Sequence, residues 1–253
     1  MDIFRNNNTV FFGLDNGYCA HKQMRISVAN DAVIRVCGLR RLRGGFFDVY
    51  YAAIPVFSEF SLDDDFLNDA SAAPVLFNPL PIRPDPSLEF EVLEKASGRA
   101  RTAFEKLNQI GTVEDVVTFY KRETELLLDR DISAATRYYL NDAIVYLGRF
   151  DELESLLERC VTVAVKNVFQ NHGITYPANG DWRRYLPPDT TTAQSEFEEE
   201  LCSENEGNWQ DLRILLAKKE YTVLNEKLLK NYNANKKLLS KLGISLQQRY
   251  LHL

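Results

Sequence analysis

The stretch Leu39-Arg40-Arg41-Leu42-Arg43-Gly44-Gly45-Phe46-Phe47 decides the fold. It joins a run of β-type residues at about 32–39 to a second at about 46–56, rich in Phe, Tyr and Val. Gly44-Gly45 supplies the positive φ angles that a tight hairpin needs. Upstream, Lys22 to Ala29 is the clearest strand: Met24, Ile26 and Val28 alternate with Gln23, Arg25 and Ser27. That period of two places one face on a core and the other toward water. Asp15-Asn16-Gly17 and Asn30-Asp31 flank it as turns. Pro55 suits the end of an edge strand, because it cannot donate to a ladder. Residues 9–57 therefore read as an antiparallel meander.

Beyond it the pattern dissolves. Pro74, Pro79, Pro81, Pro84 and Pro86 remove donors and block helix, which predicts an extended surface connection over 61–87. Helical periodicity begins near 88. Ser87 is placed to cap a helix reaching Ile110, and Gly111 to stop it. Thr112-Val113-Glu114-Asp115 reads as a second capped start, followed by a helix over about 133–147 that Gly148 ends. Asp151 opens the next. After an irregular stretch at 171–190 come a short acidic helix, a longer one from about 209 to 231 with Asn208 as its cap, and a Lys-rich tail. The fold class is α+β: an N-terminal antiparallel β-meander in 1–60, then a mainly helical C-terminal part in 88–253 that can pack on the sheet as one domain.

The 45% hydrophobic and 26% charged fractions are those of an ordinary globular protein. No run of about 18 apolar residues exists, so no membrane span is expected. The first residues lack the charged-then-apolar pattern of a signal peptide, which points to the cytoplasm. Cys19, Cys37, Cys160 and Cys202 are widely spread with no C-x-x-C pair, as expected for free thiols. Phosphate-binding loops, dinucleotide fingerprints, nucleophile elbows and zinc-spaced Cys/His sets are all missing. His21, His172 and His252 are scattered. The expectation is a protein that binds without catalysing, with no cofactor and no metal.

A net charge of −6 hides strong asymmetry. Asp63, Asp64, Asp65 and Asp69 crowd the connection, but they lack the alternating acids and the glycine of a calcium loop. Residues 189–206 hold seven acids and no base, among them Glu196, Glu198, Glu199 and Glu200. Such blocks steer a partner electrostatically, so these eight residues are the candidate protein-binding surface. The alternative is a nucleic-acid interface on the hairpin, with Arg40, Arg41 and Arg43 on phosphates and Phe46 among the aromatics under bases. Against it, strand alternation turns about half of the aromatics inward, and the acidic balance repels phosphate.

Ala32-Val33-Ile34-Arg35-Val36, the arginine hairpin, Phe47-Asp48-Val49-Tyr50-Tyr51 and Ile54-Pro55-Val56-Phe57 together carry a resemblance. Over about the first 60 residues the chain is similar to the small cytosolic α+β proteins that bacteria encode beside secreted polymorphic toxins, as their immunity partners. The resemblance implies a non-enzymatic protein that binds a toxin's catalytic domain and occludes it. Acidic patches complementary to a basic enzyme would speed that association. Oligomeric state is not legible.

Overall fold

The computed structural model describes residues 4, 7–14, 16–62, 80–126, 134–188, 193–206 and 210–247. They fall into two compact units, one made of 1–147 with 225–253 and the other of 148–224.

The first unit is built on a five-stranded antiparallel sheet in the order β1-β2-β3-β4-β5. The strands are β1 (Cys19–His21), β2 (Met24–Ala29), β3 (Val33–Leu42), β4 (Phe46–Pro55) and β5 (Leu80–Pro81). Asn30 and Asp31 both take left-handed φ between β2 and β3, a conformation their short polar side chains tolerate. At the next turn Gly44 and Gly45 have φ of 77° and 80°, and the ladder runs from Leu42↔Phe46 to Val33↔Pro55. The arginines therefore belong to β3 itself. Pro55 closes β4 at the end away from β5, which pairs with Phe46 and Phe47. The chain before the meander forms helix α1 (Asn7–Phe11), burying Val10 and Phe11.

The expectation of a half-solvated sheet is corrected here. Nearly every residue of β2, β3 and β4 is buried, on both faces. Arg25, which the alternation placed on the polar face, is folded inward and hydrogen-bonded. Arg25 donates to Asn8 Oδ1 at 2.6 Å and to the Met24 carbonyl at 3.1 Å, with its guanidinium 4.6 Å from the Phe11 ring centre. Arg35 donates to the Ile110 carbonyl at 2.8 Å. Long basic side chains bury their stems this readily when the head finds oxygen atoms.

Helix α2 (Glu89–Asn108) follows a 3-10 turn, Pro86–Leu88, whose cap is Asp85 and not Ser87: the Asp85 carboxylate accepts from the Ser87 amide and hydroxyl. Its buried stripe is Val92, Ala96, Ala100, Ala103, Phe104 and Leu107. Helix α3 (Val113–Leu126) starts as its sequence predicts. Thr112 Oγ1 accepts from the Asp115 amide, while Asp115 Oδ2 accepts from the amides of Gly111 and Thr112. Helix α4 (Ala134–Tyr146) completes this group, and Gly148 stops it at a φ of 68°.

The second unit centres on helix α5 (Phe150–Asn171). Its Val161, Val165 and Phe169 form a core with Trp182 and with Leu201 of α6 (Glu196–Glu206). The single helix expected over 209–231 is two, α7 (Gln210–Ala217) and α8 (Tyr221–Ser240). Lys219 adopts a φ of 56° between them. The Glu220 amide reaches the Leu215 carbonyl and the Lys219 amide reaches that of Leu216, a Schellman closure. Glycine normally marks such a stop, so the lysine hid it. Asn208 lies outside the described residues. From Asn225 onward the chain belongs to the first unit, where Asn235 donates to the carbonyls of Val56 and Ser58.

One glycine is held by close approach. A Cβ on Gly38 would lie 2.5 Å from Tyr50 Cε1 and 2.9 Å from the Gln23 carbonyl oxygen, a backbone atom. Gly38→Ala should therefore destabilise the protein by about 1–3 kcal/mol, read as a lower urea midpoint at unchanged slope.

Candidate functional site

Among the candidate acids, the structure separates two roles on α6. Ser195 Oγ accepts from the Glu198 amide at 3.1 Å, and Glu198 Oε2 accepts from the Gln194 amide at 2.7 Å. Glu198 is thus part of the helix start. Glu200 Oε2 lies 3.2 Å from His172 Nε2, whose ring stands edge-on to Phe197 at 5.5 Å. Glu196 and Glu199 are exposed, and so are Ser203 and Glu204. Spacings of three and four residues place them along one outward ridge. The opposite side is fixed by Leu201 and Cys202, both buried, and by Phe197 against Phe169 at 5.1 Å. Asp63, Asp64, Asp65 and Asp69 lie outside the described residues.

The hairpin divides differently. Arg40 is only 2% exposed, so its guanidinium cannot meet a phosphate backbone in this conformation. Arg41 and Arg43 are exposed, the former with its guanidinium 4.4 Å from the Phe4 ring centre. Phe46 is 40% exposed, whereas Phe47, Tyr50 and Tyr51 are buried. The basic tip is present, but most of the aromatic surface beside it belongs to the core. Both faces of the sheet are covered, so more aromatics turn inward than alternation alone predicts.

Two acids that sequence reasoning passed over are the most constrained. Asp48 is fully buried in β4, where Oδ1 accepts from Arg99 Nη1 at 2.9 Å and from the Val49 amide at 2.8 Å. Burial holds this carboxyl above its ordinary range, while Arg99, the Val49 amide and Arg40 draw it back. Burial likewise lowers the pKa of Arg40, against the pull of Asp48 and Tyr50. A lone acid in an otherwise apolar strand was the available signal. Asp142, half-buried on α4, is flanked in sequence by Tyr139, Leu140, Ala143, Ile144 and Val145, all buried. Burial raises its carboxyl to about 6; Lys227 and the Ser58 hydroxyl favour the charged form, and Glu59 opposes it. Burial pushes the Cys37 thiol far up, leaving it protonated and a poor nucleophile.

Among the described residues no group of three or more His, Cys, Asp and Glu side chains is arranged to hold a metal ion. No helix among them is long and apolar enough to cross a membrane. Comparison with known proteins finds no matching family model, no matching curated protein and no matching solved structure.

Folding raises the Asp142 pKa from 3.8 to about 6. Its contribution therefore favours the fold below the unfolded-state value and is lost as pH climbs through the folded one. Asp142→Asn should stabilise the protein by about 1–3 kcal/mol near about pH 7.5, and the gain should shrink toward zero near about pH 4. Paired urea titrations at the two pH values check both size and sign.

Proposed function

We propose that this chain is a non-catalytic binding protein of the bacterial immunity type, acting in the cytoplasm by occluding a basic toxin domain with its acidic surfaces. The observation that carries the reading is the α6 ridge. Like charges three and four residues apart repel by about 0.2–0.5 kcal/mol per pair, and α6 holds Glu196, Glu199, Glu200 and Glu204 at such spacings. The helix dipole offsets this only in the first turn. His172 faces Glu200, but no ion pair reaches Glu196, Glu199 or Glu204 among the described residues. A ridge that leaves Glu196, Glu199 and Glu204 exposed is well suited to a positively charged partner, where it accelerates encounter and disfavours acidic competitors. Its rigid seating limits the side-chain ordering that binding must otherwise impose. The acids at 63–69 extend the same proposal by sequence.

The nucleic-acid alternative retains Arg41, Arg43 and Phe46 at the surface and loses Arg40 and the stacking platform. It is the weaker reading for that reason.

The tagged protein should capture one stoichiometric protein from nuclease-treated extracts of the cells that produce it. Against that purified partner, the combined variant Glu196→Gln, Glu199→Gln, Glu204→Gln should associate roughly tenfold more slowly at low salt. The difference should fade by about 0.5 M salt, where screening is nearly complete. Unchanged kinetics and salt dependence would remove α6 from the interface, and recovery abolished by nuclease would move the reading to the hairpin.

A further inference from the structure

We propose that Arg40, Asp48 and Tyr50 enclose a buried binding site for a single water molecule between β3 and β4. The ladder sets Arg40 opposite Asp48, and Gly38 opposite Tyr50 at the next position on the same face. The three side chains are 2%, 0% and 1% exposed. Among the described residues, Arg40 Nε, Asp48 Oδ2 and the Tyr50 hydroxyl each lack a partner, although the other Asp48 oxygen is used twice. The register thus sets Arg40 across from Asp48, with Tyr50 two residues along the same strand on the same face. Directly opposed side chains of opposite charge in an antiparallel pair normally meet. Here the ion pair of Asp48 is made with Arg99 of α2 instead.

The donor set selects the occupant. Arg40 Nε–H can only donate, Asp48 Oδ2 can only accept, and the tyrosine hydroxyl does either. An anion would accept from Arg40 but be repelled by Asp48. A cation would meet the charges of Arg40 and Arg99. The site therefore takes a neutral molecule that accepts and donates at once, and buried water typically makes about three such bonds. Three orphaned groups match that number. Gly38 contributes by letting the Tyr50 ring lie across it, which sets where the hydroxyl falls.

The test is a crystal structure of the full chain, at a resolution that shows ordered water, together with the Tyr50→Phe variant. Expected is a density peak within about 2.6–3.2 Å of Arg40 Nε, Asp48 Oδ2 and Tyr50 Oη. In Tyr50→Phe the ring still covers Gly38, so the fold should persist, with a peak held by two partners and a Tm lower by about 2–4 °C. A guanidinium in direct contact with Asp48 Oδ2, a peak that refines as an ion, or no peak together with an unchanged Tm in Tyr50→Phe would overturn the assignment.

Discussion

The first unit depends on one buried carboxylate. Asp48 sits in a strand whose neighbours are aromatic or aliphatic, and its Oδ1 joins α2, through Arg99, to the backbone of β4. A charge in that position is tolerable only when paired and hydrogen-bonded. Losing one partner of such a pair costs about 3–5 kcal/mol, because the other is left stranded. The pairing also ties the helix to one register, since a slip of one residue on β4 would move Asp48 to the other face. Lys106, in the last turn of α2, adds a second tether by donating to the Tyr51 hydroxyl at 2.8 Å.

How far the fold was legible follows from where the signal lay. Turns whose chemistry is written in single residues were legible: Gly44-Gly45, Asn30-Asp31, Gly148 and the Thr112–Asp115 box are local constraints that packing does not override. Sheet faces were not. Arg25 looks solvated in a period-two pattern, yet Asn8 and Phe11, distant in sequence, cover it. The stop at Lys219 was illegible for the opposite reason. It is local, but made by a residue with no preference for the left-handed conformation.

The candidate site shows the same division. Glu196 and Glu199 read as a charged face and stand on one, whereas Glu198 and Glu200 are drawn into a cap and a histidine contact. Their neighbour Phe197 packs edge-on to Phe169, which also meets Tyr176 at 5.4 Å and Tyr185 at 5.2 Å. Cations lie over that aromatic group, with Lys166 over Tyr176 and Arg184 over Tyr185. The second unit thus joins an acidic ridge to an aromatic anchor that carries positive charge, a dipolar arrangement that composition could not locate. Net charge says how much; only packing says where.

Strand β4 has a further consequence. Among the described residues no strand pairs with its outer edge past Phe47, and side chains meet part of it: Asp48 takes the Val49 amide, the Tyr120 hydroxyl takes the Ala53 amide at 3.3 Å, and Pro55 has no amide to offer. The segment Val49-Tyr50-Tyr51-Ala52-Ala53-Ile54 is uncharged and rich in β-formers, the composition that stacks into fibrils when its backbone is free. Asp48 and Tyr120 thus occupy two amides that an added strand would need for pairing.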